Sequence, residues 1–426
     1  MVAPFQLDSL TEAAPMSRRD RHRNTRPRRL RRVFAVVAPV ALVLAAVFVG
    51  VRLSAAAPPA VVTSVIPTAG RIAASAVPLP WPSPGQSAVA VPSIGLIATS
   101  GPETAAPIAS LVKLMTAYVI LRDHPLQLGQ PGPNITITQA DLDDYNGDAT
   151  NDEANAQVTL GEVLTESQVL GGLLVHSADN YADTIARWDV GSVPAFVDKM
   201  NHAAAQLGMD HTHYTDTNGF DQGGISTASD QLKVAAPDMA NPVFASFVES
   251  SSITLPVAGT IATYTPLLGV QGVIGVKSGF TTVAGGCDVL AVRRRVHGLP
   301  VLILAAVTGQ TGANAIFQAG LKALNLSNSV ASSIDTTQMI IAGQVVAHVE
   351  ADGRTVDATA ESSAALLGWP GLTPSRVLVS NKPVADGTRR GTRIGSVVVA
   401  LGTQRVLVPV TLRHDLPKES MTQRLF

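Results

Sequence analysis

The chain has 426 residues, enough for two domains and more, and its 46% apolar and 15% charged content excludes a wholly disordered protein. A single cysteine, Cys287, excludes an intrachain disulfide framework and leaves the redox compartment open. The net charge of −1 hides an asymmetry, because residues 1–57 hold ten basic residues against Asp8, Glu12 and Asp20, and the body beyond them is mildly acidic.

Nine arginines stand between Arg18 and Arg32, and nineteen uncharged residues, Val33 to Val51, follow directly. Such a run is close to the ~20 residues that cross a bilayer. Flanking arginines hold their side in the cytoplasm, so the expectation is a basic tail at 1–32, a signal-anchor at 33–51 and an extracellular body. Two variants stay open. Ala55-Ala56-Ala57 offers a cleavage site for a secretory signal, and Arg31-Arg32 faintly suggests a twin-arginine address. The basic run sits beside an apolar segment instead of on a folded domain, so no nucleic-acid partner is expected. Residues 52–87 are rich in Pro and Ala, with prolines at 58, 59, 67, 78, 80, 82 and 84, which predicts an extended linker.

From Ala88 to Ile97 the pattern reads as a strand, and from Ala109 to Leu121 as an apolar helix. Asn134 to Thr138 is a short strand and Gln168 to His176 a helix, and Val193 to Leu207 carries Phe196, Met200 and Leu207 on one face. Val270 to Val276, Cys287 to Val292 and Leu299 to Val307 read as strands of an antiparallel sheet. Helices mixed with antiparallel strands imply α+β, with a catalytic-sized body over 88–330. After about Ser327, strand-like runs at Val345 to Glu350, Arg376 to Ser380, Arg393 to Ala400 and Gln404 to Leu412 predict a small all-β domain at 331–426.

Three short motifs carry chemistry. Ser110 and Lys113, three apart, share one helix face. A lysine among Leu111, Val112, Leu114 and Met115 is desolvated, which disfavours its ammonium and lets the amine take a proton from the serine. The plain alternative is a lysine snorkelling from a helix end. Ser177-Ala178-Asp179-Asn180 follows an apolar helix; its serine can relay a proton and its amide can hold a carbonyl, or it can simply cap a helix junction. Lys277-Ser278-Gly279-Phe280-Thr281 lies on a strand, where alternation sends Lys277 and Gly279 to one face and glycine admits a substrate backbone. Lys277 can bind a carboxylate as a point charge, or merely protect a sheet edge.

Together, and in this order, the motifs match penicillin-recognising serine enzymes. The chain resembles the low-molecular-mass penicillin-binding D-alanyl-D-alanine carboxypeptidases over about 88–330, and more loosely beyond. The resemblance rests on Pro107 to Tyr118, on Met200-Asn201 with Leu207-Gly208-Met209, and on His213-Tyr214 leading to Asn218-Gly219-Phe220-Asp221. Ser226 to Asp230 and Gly275 to Thr281 with Ala284-Gly285 complete it. It implies a penicillin-binding/β-lactamase-like catalytic domain, an antiparallel sheet flanked by helices, with a small C-terminal all-β domain. It also implies trimming of peptidoglycan stem peptides through an acyl-enzyme on Ser110, with Lys113 as base and Ser177 as proton relay. Lys277 and Ser278 would hold the terminal carboxylate, and the N–H groups of Ser110 and Phe280 would form the oxyanion hole. β-Lactams would be covalent inhibitors, and no metal or cofactor is required.

Where the family reads Ser-x-Asn, a gapless match places Asp179, with Asn180 one position late. An ionised Asp179 would repel an anionic substrate, so the expectation is that Asn180 turns inward. Other readings remain: a transpeptidase or β-lactamase on the same scaffold, or a catalytically weak wall-binding scaffold. No Glu-x-x-Leu-Asn stretch supplies the class A deacylating base. The acidic stretch Asp141 to Glu153 is read as a polar loop near the site and not as a calcium loop, because Leu142 falls at the first ligand position. His211 and His213 lack a third ligand nearby for zinc.

Overall fold

Five antiparallel strands, in the order Val273–Thr281, Gly285–Val296, Leu299–Gln310, Gln86–Val91 and Leu96–Ser100, carry the body of the protein in its computed structural model, which describes residues 27–54, 59–73, 75–101, 103–150, 153–380, 383–418 and 422. The central strand Leu299–Gln310 is a nearly continuous apolar run, as expected for a strand buried on both faces. Its side chains alternate between two cores. Leu304 and Ala306 join Val289, Ala291 and Ala88 in a core shared with the helices Val112–Asp123 and Ala228–Ala240. Ile303, Ala305 and Val307 join Leu290, Val292 and Val89 in the other, against Ala319 and Ala323 of the helix Ala315–Ser333. The sheet is therefore covered by helices on both sides, and the fold is α+β.

Local chemistry explains most turns. His297 and Gly298, at φ 49 and 79, make the two-residue connection between the paired residues Val296 and Leu299, the left-handed pair that matches strand twist. The predicted strand at 88–97 is instead a hairpin, because Pro92–Ile94 forms a 3₁₀ turn ended by left-handed Gly95. The expected polar loop after Asp141 is a helix, Gln139–Thr150. Thr138 caps it, its N–H donating to Asp141 at 2.8 Å.

A six-stranded antiparallel sheet follows, ordered Val61–Ser64, Val345–Ala351, Arg354–Ala360, Gln404–Leu412, Arg393–Leu401 and Ser375–Val379. Its first strand corrects the linker expectation. Val61 pairs with Glu350 and Ser64 with Ala347, so part of the Pro-rich stretch is an edge strand. The β-branched run Val61-Val62-Thr63 lies between prolines instead of being interrupted by them, and a sheet edge is where such a segment finds partners. The Thr403 N–H donates to the Ser93 carbonyl at 3.2 Å, fastening this sheet to the body. The expected boundary at 330/331 falls inside the last turn of Ala315–Ser333.

A helix spans Pro27–Ser54, and its portion Val36–Ser54 is long and apolar enough to cross a membrane and is not buried against the rest of the chain. Residues 1–26 and the Ala55-Ala56-Ala57 site lie outside the described residues.

Candidate active site

Ser110 stands on a 3₁₀ turn, Ala109–Leu111, that runs into the helix Val112–Asp123. Ala109 holds a left-handed φ of 49, a conformation that costs an alanine roughly 1–2 kcal/mol and persists only when its surroundings impose it. Two glycines press against this turn. A Cβ on Gly219 would lie 2.0 Å from the Ala109 carbonyl oxygen, and a Cβ on Gly279 would lie 2.6 Å from the Ser110 nitrogen. Only glycine lets the 217–220 loop and the strand Val273–Thr281 close on the turn from both sides. The Thr116 hydroxyl ties that loop to the helix by donating to the Thr217 carbonyl at 2.6 Å.

Lys113 is fully buried, yet its ammonium nitrogen reaches three oxygens. Nζ lies 3.1 Å from Ser110 Oγ, 3.1 Å from Ser177 Oγ and 2.5 Å from Asp179 Oδ1. Ser177 also has left-handed backbone, φ 66, between the helices Glu166–Val175 and Asp179–Val190. Its Oγ accepts from Lys277 Nζ at 2.8 Å as well, so one hydroxyl bridges both lysines. Lys277 donates further to the Ser278 carbonyl at 2.7 Å. Burial, and then the nearby charge of Lys113, push the Lys277 pKa well below the ordinary lysine range. The Ser278 hydroxyl donates to the Tyr264 carbonyl at 3.0 Å, and the Thr281 hydroxyl oxygen accepts from the Ala284 N–H in the turn that follows.

Ser110, Ser177, Asp179, Ser278, Gly279, Phe280 and Thr281 line one cleft of about 230 Å³, with Lys113 and Lys277 reaching it from beneath. Phe280 is half exposed on its rim. Asn180 does not line it. Its Oδ1 accepts from the Ala156 N–H at 3.1 Å and its Nδ2 donates to the Ala156 carbonyl at 2.9 Å. The expectation that Asn180 turns inward is therefore corrected, for two reasons. The helix starts at Asp179, and successive helical residues cannot face the same way. A carboxylate also has no N–H to donate to Ala156, so the amide belongs there and the acid goes to the lysine. Pairing with Lys113 and the positive helix N-terminus together accommodate the charge that would otherwise repel an anionic substrate.

Comparison with known proteins gives the family. The family model for D-alanyl-D-alanine carboxypeptidase matches residues 88–307. The D-alanyl-D-alanine carboxypeptidase DacB2 of Mycobacterium tuberculosis is 33% identical over 214 residues, covering 48% of this chain and 69% of its own. The chain belongs to the D-alanyl-D-alanine carboxypeptidase family. Its activity is that of a serine D-alanyl-D-alanine peptidase of peptidoglycan metabolism. Two solved structures are similar in fold. The Streptomyces K15 DD-transpeptidase is 26% identical with a TM-score of 0.52, covering 58% of this chain and 99% of that one. The carboxypeptidase DacD of Francisella tularensis is 16% identical with a TM-score of 0.57, and covers 82% of this chain and 97% of that one.

Within this carboxypeptidase fold, several cleft residues carried no usable sequence signal. Tyr264 and Ile316 reach the cleft only through tertiary folding. Phe220 belongs to a stretch that carries the resemblance without an assigned role, and Glu153 ends the acidic stretch read as a polar segment near the site, which is where it lies.

Proposed function

We propose that this chain removes the terminal D-alanine from peptidoglycan stem peptides by way of an acyl-enzyme on Ser110. The observation that carries the assignment is a single buried amine, Lys113 Nζ, within 3.1 Å of both Ser110 Oγ and Ser177 Oγ. Lys113 in its neutral form takes the Ser110 proton as Oγ attacks the carbonyl between the two D-alanines. The tetrahedral oxyanion is held by the backbone N–H groups of Ser110 and Phe280. As the C–N bond breaks, Ser177 passes a proton to the leaving amine and is reprotonated from the lysine side. Water then attacks the ester, and Ser110 recovers its proton. Lys277 and Ser278 bind the substrate's C-terminal carboxylate, with Gly279 and Thr281 shaping the strand beside it. Asp179 stands in the asparagine's place, paired with Lys113.

The same cleft takes a β-lactam, whose ring opens onto Ser110. The name of the Streptomyces K15 relative, a DD-transpeptidase, supports a second reading in which an amine acceptor replaces water. The helix over Val36–Ser54 is proposed as a membrane anchor with the enzyme body outside the cell, and the six-stranded sheet as a spacer or partner-binding module.

Incubation with a D-alanyl-D-alanine peptide and a labelled penicillin tests the assignment. Free D-alanine from the wild type, with neither product nor label from Ser110→Ala, is the expected result. A new cross-link would move the reading to transpeptidase, and undiminished label on the variant would remove Ser110 from its role.

A further inference from the structure

The hairpin formed by Arg393–Leu401 and Gln404–Leu412 has two unlike ends. Its turn is packed on the body: the Thr403 N–H reaches the Ser93 carbonyl, and a Cβ on Gly402 would lie 2.6 Å from the Gly95 nitrogen. Nine residues away, roughly 30 Å along the strands, the open end is built from two segments, 385–393 and 412–418. The Gly391 N–H to the Leu412 carbonyl and the Leu416 N–H to the Thr388 carbonyl, both 2.8 Å, hold these segments together.

Arg389, Arg390, Arg393, Arg413 and Lys418 stand exposed on them. Among the described residues no ion pair involves Arg389, Arg390, Arg393 or Lys418, and Arg413 has Asp357 at 3.9 Å. The carboxylates of the same segments are Asp386 and Asp415, of which Asp415 accepts from the Arg390 N–H at 2.6 Å. Glu350, opposite Val61, and Asp352 in the turn beyond it are the acidic neighbours. Arg393 also lines a recess of about 410 Å³, together with Thr388, Thr392 and the buried Val384 and Ile394. Its guanidinium donates to Ser396 Oγ at 2.6 Å, which steadies it there.

The chain itself ties this end to the apolar helix. That helix finishes at Ser54, and the Ala60 N–H already donates to the Val384 carbonyl, beside the recess, at 2.8 Å. Six residues of chain reach at most about 22 Å. With the helix in a bilayer, the basic end is therefore held close to the headgroups. Guanidinium groups pair with phosphate, and each basic residue near an anionic membrane surface adds to binding.

We infer that this end of the sheet docks on anionic phospholipid headgroups of the leaflet from which the helix emerges, with a headgroup phosphate at Arg393 in the recess. The inference rests on the anchor reading above and names the partner of the six-stranded sheet.

The test follows amide hydrogen exchange of the full-length chain in nanodiscs of phosphatidylglycerol and in nanodiscs of phosphatidylcholine. Exchange in 385–393 and 412–418 should be about tenfold slower on the anionic lipid, the scale of one or two basic contacts with such a surface. Salt near about 1 M should remove the difference. Arg389→Glu combined with Arg390→Glu and Lys418→Glu should remove it too, while unchanged exchange in the strands Arg393–Leu401 and Gln404–Leu412 shows the sheet intact. Equal exchange in both lipids from an inserted chain overturns the docking and leaves the anchor reading standing. A chain that enters neither disc overturns both. Slowing that survives the salt overturns the ionic contact. Slowing seen only with two chains per disc makes the face a contact between copies and overturns the lipid assignment.

Discussion

Around the cleft, Lys113, Lys277, Asp179 and Asn180 are all buried, and Ala109 and Ser177 hold left-handed backbone without being glycine. In the part of the chain beyond Asp335 the pattern reverses. Among the described residues there, the buried polar side chain is Ser396, and the left-handed non-glycine residue is Asp352, in the tight turn with Gly353. Both regions are built on buried, mostly aliphatic side chains, so the contrast does not come from the kind of core beneath them. It comes from what each must do. The sheet gains stability from alternating strands whose polar groups pair or face water. The cleft spends stability to hold two amines, a carboxylate and two hydroxyls within contact distance, and strain of this kind persists where chemistry needs it.

That contrast can be broken at three points. Gly279→Ala has the largest expected effect, because its new Cβ would lie 2.6 Å from the Ser110 nitrogen. Penicillin acylation should slow by about a hundredfold or more, the order of loss when catalytic geometry moves by an ångström. Stopped-flow acylation measures it, and a rate within a factor of about two of wild type would show that the strand does not clamp the nucleophile turn.

Asp179→Asn is expected next. It removes the ionic partner 2.5 Å from Lys113 Nζ and leaves the Ala156 contacts of Asn180 in place. Acylation at neutral pH should rise by about tenfold, since the lysine no longer has to give up an ion pair to reach the neutral form that accepts the serine proton. A slower variant would show that the carboxylate itself takes part. Val397→Ala is the opposite case, a fully buried change in the C-terminal sheet. It should cost about 1–3 kcal/mol of stability by denaturant titration while acylation per folded molecule stays unchanged. A matching fall in acylation rate would show that the two regions are not separable.

How much of this was legible in the sequence follows the same divide. Ser110 and Lys113 were readable because three residues of helix place two side chains on one face. Lys277 to Gly279 were readable because a strand alternates. The choice between Asp179 and Asn180 was not, because it depends on the left-handed Ser177, on where the helix begins, and on the contacts of Asp179 with Ala154 and of Asn180 with Ala156. The edge strand Val61–Ser64 was hidden by surrounding prolines, and its identity depends on a partner almost three hundred residues away. Arg354–Ala360 was missed as a strand because its alternation is weak and its neighbours supply the apolar face. Tyr264 reaches the cleft by tertiary assembly, with no local pattern to announce it.

The central claim is that Ser110 is the nucleophile, activated by the amine it shares with Ser177. The most direct measurement is proteolysis and mass spectrometry of the full-length chain after treatment with penicillin. The account predicts a penicilloyl adduct on the peptide that carries Ser110 and none on the peptide that carries Ser177. An adduct on Ser177, or an active enzyme whose Ser110 peptide stays unmodified, would contradict it.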